Sequence, residues 1–387
     1  MYGASLSLYH DLGVDVRKKG ISSFEGVVDD LYPGAFCVVT RDPRHPGYGL
    51  VSHTDSAGSK PVVSYLCWRE TGDPAWFEGL AQDVVAMNLD DILCVGAEPI
   101  AFVDYVAFNT LVIDRVQLLS ALARGFGGCL RNLGDQGIKV LFGGGETADL
   151  PDQMRTLDVS GAFFGTVELE KVVTGELIED GDVIVGLRSG GRVRYEDGVN
   201  SGIMCNGFTL ARNCLLSGEY LERYPELAHP GSGRFTGRLK IDDEVDELGM
   251  TVAEALTSPT RVFAPVVKAV LDRVGGAVHG MVHNTGGGQT KCLGLGRGIR
   301  YTKDSLPEHD PVFGLIQGEA DVDWREMYED FNMGVGFEFI VDGEYVDDVL
   351  GVADGFGIGA YRLGHCRRTE GENSLVIDSE YGRFTYT

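Results

Sequence analysis

The sequence predicts two α/β domains within one chain of 387 residues. The chain is longer than one ordinary hydrophobic core requires. Strand-like and helix-like segments alternate along the first half, and the alternation restarts after a polar stretch in the middle of the chain. Hydrophobic residues make up 43% and charged residues 24%, the balance of a folded globular protein. We place the boundary near residues 168–182 and the domains at 1–172 and 173–387.

In the first half, AFCVVT and YGLVSHTD have the β-branched content of strands. PAWFEGLAQDVVAMNLDDILCVG has helical spacing and stops at Gly96. PIAFVDYVAF predicts a strand, and a long helical pattern then ends at Gly134. IKVLFGGGETADLP is interpreted as a strand that runs into glycines, and LDVSGAFFGTVE as a further strand. The stretch PVVSYLCWRETGDPAWFEG is interpreted as a long linker.

The second half predicts helices in GFTLARNCLLS, PTRVFAPVVKAVLDRVGG and EYVDDVLGVADGFG. MVHNTGGGQTK is expected to pass from a strand into glycines, and GFEFIV is strand-like. Residues 220–242 are polar and resemble an insertion. Both halves therefore place a glycine-rich break after an apolar strand.

The net charge of −25 argues against a nucleic-acid partner and against an anionic membrane surface. Such a chain must bind an anionic small molecule through metal ions and backbone amides. The eight Cys form no CxxC pair and show no zinc spacing, so we expect buried, reduced thiols and a cytoplasmic location. We expect no signal peptide and no membrane span, since no apolar run approaches 18 residues.

The stretch VSHTDSAGSK, residues 51–60, places one Asp among small and polar residues before a Lys. It can form a solvated hairpin turn. It can also form a backbone cradle for a phosphate and its metal, with contacts from Asp55, Ser56, Gly58 and Lys60.

Acidic residues recur in AQDVVAMNLDD, where Asp83 and Asp90 are two helical turns apart and share a face. Carboxylates in an apolar segment are costly unless they are paired or bound to a cation. This face can be a water-facing stripe. Alternatively, Asp55, Asp83, Asp90 and Asp91 together hold the Mg²⁺ of a nucleotide, because Mg²⁺ prefers carboxylates, waters and phosphates.

Glycine-rich segments supply further candidate contacts. VLFGGGETADLP can be a hairpin turn or a strand end that lies against a ligand. Its candidate residues are Gly143, Gly144, Gly145, Glu146 and Thr147. VHNTGGGQTK, residues 282–291, can hold a phosphate on its amides, and Asn206 precedes a helix; each can also be a simple connecting loop. Neither a Walker A motif nor G-x-G-x-x-G occurs.

Read in order, HTDSAGSK, AQDVVAMNLDDILCVGAEP, GGGETADLP, CNGFTLAR, SPTRVFAPV, NTGGG and MYEDFNMGVG resemble the aminoimidazole ribonucleotide (AIR) synthetase family, the phosphoribosylformylglycinamidine cyclo-ligases. YHDLGVDV also resembles the family's N-terminal Y-x-x-x-G-V-D, and the resemblance extends from Tyr9 to Gly364. It implies a two-domain enzyme whose N-terminal domains pair into a β-barrel across a homodimer, with a C-terminal α/β sandwich and an ATP cleft near the dimer interface.

The resemblance also implies roles for residues. Asp55, Asp83, Asp90 and Asp91 become Mg²⁺–ATP ligands, and Lys60 faces the phosphates with Ser56 and Gly58 beside it. Residues 143–147 line the nucleotide cleft. The side that binds the small-molecule nucleotide substrate comprises Asn206, Thr285, Gly286, Gly287, Gly288 and Asn332.

The implied chemistry is ring closure in purine biosynthesis. ATP phosphorylates an amide oxygen, which is otherwise a poor leaving group, and the ring amine then attacks the activated carbon and expels phosphate. His53 is the candidate general base for the attacking nitrogen, and His283 is the second candidate. A packed or solvated histidine is the alternative for each.

Departures from the family pattern indicate a divergent long-chain subgroup. Met204-Cys205-Asn206-Gly207 stands where the family has H-S-N-G, so a histidine contact is missing. Thiamine-monophosphate kinase is an alternative within the same superfamily. Selenophosphate synthetase is disfavoured because an N-terminal reactive Cys is missing, and a hydrogenase-maturation protein because no Cys-containing tail is present. A non-catalytic nucleotide-binding homologue is the alternative of a different class.

Overall fold

The structure is a computed structural model that describes residues 7–15, 20–24, 26–227 and 234–387. Within these ranges the chain forms two main sheets, one from strands before residue 169 and one from strands after residue 182. The first-half strands are β1 (Val39–Arg41), β2 (Tyr48–Ser56), β3 (Glu98–Phe108), β4 (Leu141–Asp149) and β5 (Leu157–Glu168). The first-half helices are α1 (Leu8–Asp11), α2 (Lys60–Thr71), α3 (Glu78–Leu93) and α4 (Arg115–Asp135).

The five strands of the first sheet lie in the order β1-β2-β5-β3-β4. All pairs are antiparallel except β3 and β4, which are parallel and connected through α4. Alternation along β5 buries Leu157, Val159, Phe163 and Val167 on one face, as a sheet with one covered face requires. Helix α4 begins after Asp114, whose carboxylate accepts a hydrogen bond from the amide of Gln117.

The second half contains β6 (Val183–Arg188), β7 (Gly190–Gly191), β8 (Asn200–Ser201), β9 (Glu244–Val245), β10 (Met250–Thr251), β11 (Val278–His283), β12 (Ile299–Lys303), β13 (Val335–Val341), β14 (Ala360–Arg368), β15 (Ser374–Ser379) and β16 (Gly382–Tyr386). Its helices are α5 (Phe208–Leu215), α6 (Glu219–Arg223), α7 (Val252–Thr257), α8 (Ala264–Val274), α9 (Pro311–Ala320), α10 (Trp324–Asp330) and α11 (Val346–Phe356).

The main sheet of this half has seven strands in the order β11-β13-β6-β14-β12-β15-β16. Only the β12–β15 pair is parallel among its described pairings. Strand β13 is buried along its whole length, because it lies inside the sheet and both of its faces are covered. The helices predicted in GFTLARNCLLS, PTRVFAPVVKAVLDRVGG and EYVDDVLGVADGFG are confirmed as α5, α8 and α11.

Two expectations about the elements need correction. The predicted linker contains α2, which is buried on most sides and therefore lacks the amphipathic pattern that would reveal it. The glycines 143–145 lie inside β4 rather than after a strand, because β4 pairs along its length with β3. The first sheet is open, and the described part of the single chain contains no closed barrel. The barrel that the resemblance implies forms across a homodimer, so it stays a prediction. The insertion-like stretch 220–242 contains α6 and short bridges, and its residues 228–233 lie outside the described residues.

All eight cysteines are free and buried, as the sequence predicted. Across the ranges that the structure describes, no helix combines the length and apolar composition needed to cross a bilayer.

Candidate functional site

Helix α3 is the centre of the candidate site. It is buried over most of its length, and its acidic side chains face other protein groups. Asp83 and Asp90 do share a face, as their spacing predicts, and this face meets the segment 260–263 of the second half: the amide of Thr260 donates to Asp83 and the amide of Phe263 to Asp90.

Asp83 forms a buried ion pair with Lys60. Lys60 Nζ lies 2.6 Å from Asp83 Oδ1 and 2.8 Å from the carbonyl oxygen of Ser258. The same Oδ1 accepts hydrogen bonds from the amide and hydroxyl of Thr260. Both charged side chains are fully buried. Lys60 therefore joins α2 to the second half, and this geometry does not favour the predicted phosphate contact, which stays a prediction.

Asp90 is held in a different way. Its Oδ2 accepts a hydrogen bond of 2.9 Å from the amide of Phe263, and its Oδ1 has no partner among the described residues. Burial raises the pKa of Asp90 to about 7, and the negative charge of Asp91 adds to the effect. At neutral pH this carboxyl group is therefore partly protonated.

Asp91 brings the two candidate histidines together. His53 Nε2 lies 3.2 Å from Asp91 Oδ2, and His283 Nδ1 lies 2.7 Å from Asp91 Oδ1. Burial alone would raise the pKa of Asp91, but the charge of His53 and the hydrogen bond from His283 hold it below its ordinary value. Lys291 lowers the pKa of Asp91 further. The carboxylate is thus ionised, with an imidazole on each oxygen.

The two histidines differ in exposure and in hydrogen bonding. His283 is fully buried, and its Nε2 has no partner among the described residues. His53 is 26% exposed, and its Nδ1 lies 3.2 Å from Asn88 Oδ1. The side-chain NH2 group of Asn88 donates hydrogen bonds to the backbone carbonyl oxygens of Val84 and Asp55, so Asn88 Oδ1 is the atom that faces His53. Both ring nitrogens of His53 therefore face side-chain oxygens, Asp91 Oδ2 and Asn88 Oδ1.

The stretch VSHTDSAGSK, residues 51–60, is neither a hairpin turn nor a free loop. Residues up to Ser56 belong to β2, and α2 begins at Lys60. Gly58 adopts a φ of +59°, a conformation that glycine adopts without strain, and its amide donates to Ser56 Oγ at 3.1 Å. Asp55 lies close to Asp158, whose pKa is raised by burial and by the Asp55 charge. Asp55 thus stands at a strand-to-helix junction.

Glycines 143–145 lie on β4, the edge strand of the first sheet, and β4 is three strands away from β2, which carries Asp55. Asp55 pairs with Gly161, Gly161 with Asp104, and Asp104 with Gly145. Three strand spacings of about 4.8 Å separate Asp55 from Gly145, or roughly 14 Å. Gly143, Gly144, Gly145 and Glu146 are exposed, and Thr147 is half-buried. Only an extended ligand could contact both segments of one protomer.

The four predicted metal ligands do not converge on one point. Asp83, Asp90 and Asp91 each hold a different set of protein donors, and Asp55 lies at the end of β2. Among the described residues, no group of three or more His, Cys, Asp or Glu side chains is placed to hold a metal ion. The carboxylates therefore do not fit a preformed magnesium cage, and their ligand roles stay predictions.

The predicted substrate-side residues do lie together, around Phe331. Asn206 Nδ2 donates to the carbonyl of Asp330 at 2.9 Å. A Cβ on Gly207 would lie 2.2 Å from the Phe331 ring, and a Cβ on Gly288 would lie 2.3 Å from the Phe331 carbonyl oxygen. Only glycine allows both loops to approach so closely. Burial raises the pKa of the Asp330 carboxyl to about 8, and the charges of neighbouring glutamates contribute.

The loop 285–288 presents unused backbone donors. The amide of Thr285 donates to His283 and that of Gly288 to Thr285. Across the described residues, the amides of Gly286 and Gly287 donate to no acceptor, and Gly286 is exposed. Asn332, in the facing loop, is fully buried and donates to Ser189 Oγ at 2.8 Å. Adjacent free amides of this kind can bind an anionic oxygen.

Sequence reasoning missed several groups that shape the site. Asn88 and Thr260 contact His53 and Asp83; both lie in the motifs AQDVVAMNLDD and SPTRVFAPV, but sequence reasoning assigned neither of them a role. Arg212 lies on α5 with Nη1 buried and unpartnered within the described ranges, and burial lowers its pKa to about 10. Lys303 is fully buried beneath the loop 285–288, which we call the glycine loop. A buried charged residue in a strand-like run is the one sequence signal that could have identified Lys303.

Comparison with known proteins adds a family to this geometry. Residues 34–167 match the sequence model of the AIR synthase related protein, N-terminal domain, and residues 179–376 match that of the C-terminal domain. The chain is 34% identical to a phosphoribosylformylglycinamidine cyclo-ligase of Methanocaldococcus jannaschii, over 92% of this chain and 91% of the relative. It is 34% identical to that of Methanococcus vannielii, over 87% of this chain and 82% of the relative.

Solved structures share the fold at low identity. A thiamine-monophosphate kinase from Stenotrophomonas maltophilia superposes with a TM-score of 0.51 at 16% identity, covering 89% of each chain. Phosphoribosylformylglycinamidine synthase II from Thermotoga maritima gives 0.51 at 11% identity, covering 94% of this chain and 47% of that one. These similarities extend to enzymes of different activity, so they identify the architecture alone.

Proposed function

The chain belongs to the AIR synthase related protein family, and from that premise we propose that it is an ATP-dependent phosphoribosylformylglycinamidine cyclo-ligase. The observation that carries the proposal is the 34% identity to cyclo-ligases, which extends over both halves of the chain. The enzyme closes formylglycinamidine ribonucleotide to aminoimidazole ribonucleotide and releases ADP and phosphate, a step of purine biosynthesis.

The chemistry has two parts. The formyl amide oxygen attacks the γ-phosphorus of ATP and displaces ADP. The amidine nitrogen then attacks the activated carbon, the carbon–oxygen bond breaks, phosphate leaves, and the proton of the attacking nitrogen passes to water. Positioning and charge neutralisation supply most of the catalysis in phosphoryl transfer.

His53 is the residue that we place at the reacting atoms. It is the exposed member of the His53–Asp91–His283 set, and its two ring nitrogens lie 3.2 Å from oxygens of Asp91 and Asn88. The sequence predicts a general base, and we propose that the ring, when protonated, also acts as a general acid that donates a proton to the departing phosphate. Buried His283 acts as a positioning residue, because its bond of 2.7 Å holds Asp91 in place.

The substrate side is supported by the free amides of Gly286 and Gly287, which we assign to the substrate's phosphate ester. Asn206, Thr285 and Asn332 surround the same loop. Asp55, Ser56 and Gly58, at the strand-to-helix junction, are assigned to the nucleotide side together with residues 143–147.

ATP is the proposed phosphoryl donor, and Mg²⁺ is proposed to arrive bound to it. When bound, the ion neutralises charge on the transferring phosphate. Because the carboxylates form no preformed cage, phosphates and waters must supply most of its ligands. Asp55 is a half-exposed carboxylate at the strand-to-helix junction, so it is the first candidate protein ligand for this Mg²⁺ ion.

A homodimer is supported by the first sheet. Large apolar side chains on one face of its strands are exposed in the single chain: Leu50, Tyr105, Leu141 and Phe164. An apolar patch on an open sheet is expected to be covered by a partner. Pairing of two such sheets would form the barrel that the resemblance implies, and it would cover the exposed β4 strand. The limits 1–172 and 173–387 remain our proposed domains.

The test is an ADP-release assay with ATP, Mg²⁺ and formylglycinamidine ribonucleotide, combined with chromatographic detection of the aminoimidazole product. We expect ADP and product in equal amounts. ADP release with thiamine monophosphate but not with the amidine would assign the kinase activity instead. Tight ATP binding without turnover of either compound would assign a non-catalytic homologue.

A further inference from the structure

A buried ion pair lies directly beneath the loop 285–288. Lys303 Nζ lies 2.6 Å from Glu338 Oε1, 3.0 Å from Gln289 Oε1 and 2.9 Å from the carbonyl oxygen of Gln289. Asn284 Nδ2 donates to the same Glu338 oxygen at 2.7 Å. All four side chains are fully buried. We call Lys303, Glu338, Asn284 and Gln289 the lysine network.

The lysine network connects the two loops of the substrate side. Asn284 immediately precedes the glycine loop, and Gln289 immediately follows it. Gln289 Nε2 donates to the carbonyl of Asn332 at 2.6 Å, and Asn284 Nδ2 donates to that of Val335 at 3.0 Å. Both ends of the glycine loop are therefore bound to the backbone of residues 332–335, and Lys303 joins these two ends through Gln289 on one side and Glu338 on the other.

Stability alone does not account for this arrangement. Burying a lysine and a glutamate costs several kcal/mol of desolvation, and a well-packed apolar pair of similar volume is often as stable or more stable. Moreover, Glu338 Oε2 has no partner among the described residues, so the network is not fully satisfied. What the charged pair offers and an apolar pair does not is directional bonding to fixed points of the backbone.

Those fixed points determine where the free amides lie. Lys303 holds the carbonyl of Gln289, two residues beyond Gly287. Gly288 adopts a φ of +48° against the Phe331 carbonyl, so the loop cannot shift toward that side. A displacement of the Gln289 backbone would therefore move the amides of Gly286 and Gly287.

We propose that Lys303 is a positioning residue that fixes the Gly286 and Gly287 amides in the geometry that binds the substrate's phosphate ester. It acts through Gln289 on one side of the loop and through Glu338 and Asn284 on the other. The proposal rests on the proposed function, because it takes the phosphate of the ribonucleotide as the group bound there. Substrate affinity is thus set partly by a lysine that does not touch the substrate.

The test separates positioning from stability with a double variant. Lys303→Met alone leaves a buried carboxylate unpaired, and the melting temperature should fall. Lys303→Met combined with Glu338→Leu removes both charges, so the melting temperature should recover. KM for the ribonucleotide should nevertheless rise about tenfold, while KM for ATP and kcat change less than about threefold. Lys268→Met, at a half-exposed lysine, is the matched control and should change none of these values.

Gln289→Leu gives a second test that leaves the ion pair intact. It should raise KM for the ribonucleotide about three- to tenfold. Backbone hydrogen exchange should increase at residues 285–288 in both this variant and the double variant, with strand β13 unchanged. Wild-type KM and wild-type exchange in a folded Gln289→Leu or double variant would overturn the proposal.

The exchange readout requires no substrate, so it separates this inference from the proposed function. If the wild-type chain does not close the ribonucleotide, the function fails. The positioning role is then decided by loop exchange alone: faster exchange at 285–288 supports it, and unchanged exchange refutes it.

Discussion

Asp330 gives the sharpest stability test, because it is a buried carboxyl group whose Oδ2 has no partner among the described residues. Burial raises its pKa from 3.8 to about 8, with smaller contributions from Glu326 and Glu329. Below pH 4 the carboxyl is protonated in both the folded and the unfolded chain, and it costs nothing. As pH rises toward 8, the unfolded chain ionises while the folded chain stays protonated, so stability is lost.

The magnitude follows from the shift. Between pH 5 and pH 8 the two states differ over about three pH units, which at about 1.36 kcal/mol per unit sets a ceiling of about 4 kcal/mol. Relaxation and water penetration reduce such penalties, so we expect about 2 kcal/mol. Asp330→Asn removes the ionisation and keeps the shape. Its stability advantage over the wild type should therefore widen by about 2 kcal/mol across this range.

Urea unfolding at pH 5, 6, 7 and 8 measures this difference directly. Asp29→Asn, at an exposed aspartate, is the control and should track the wild type at every pH. A constant difference between Asp330→Asn and the wild type across the range would refute the reasoning, because it would mean that Asp330 ionises equally in both states.

The remaining predictions concern the site and the dimer. His53→Gln should lower kcat for ADP release by about 10²–10⁴, the range for a general acid, with KM for ATP unchanged. Asp91→Asn should lower kcat by at least about 10², since it removes the charge that holds both imidazoles. Lys60→Met should lower the free energy of unfolding by about 3–5 kcal/mol in urea titrations, because it leaves buried Asp83 unpaired. Leu141→Glu, at an exposed residue of the sheet face, should convert a dimer to a monomer in sedimentation velocity runs.

Each of these has an outcome that contradicts it. Near-normal kcat in His53→Gln would make that ring a packing residue. An intact dimer in Leu141→Glu would exclude the sheet face as the interface, and Leu177→Glu, at an exposed leucine outside the sheet, controls for added charge. If Lys60→Met is as stable as the control Lys268→Met, the buried pair contributes no net stability.

Much of the fold follows from local patterns in the sequence. Helical spacing placed Asp83 and Asp90 on one face of α3, and the structure confirms the shared face. The pattern could not show that residues 260–263 cover this face, because that contact depends on a segment about 175 positions away. Likewise, alternation identified β5, but the glycines of β4 carry no side chains whose periodicity could identify a strand.

The sequence identified many residues of the site, but it did not show which of them bond to each other. The motifs named His53, Asp91 and His283, yet the sequence did not indicate that one carboxylate joins both rings. Lys60, which the motif places at a phosphate, forms a buried ion pair with Asp83 that the sequence did not indicate. Long-range partner choice of this kind depends on tertiary packing.

The buried cysteines make native-state thiol chemistry a measure of local motion. Since all eight are buried, each reacts with a disulfide reagent only as fast as its surroundings open. Cys205 contacts Asp83 of the buried ion pair, and Cys366 lies in β14. Binding of a nucleotide should therefore slow the reaction of the Cys205 thiol with the reagent and leave the reaction rate of Cys366 unchanged. A cysteine introduced at exposed Gly286 would react far faster than any native thiol. A fluorophore could therefore be attached at the glycine loop without removing one natural cysteine.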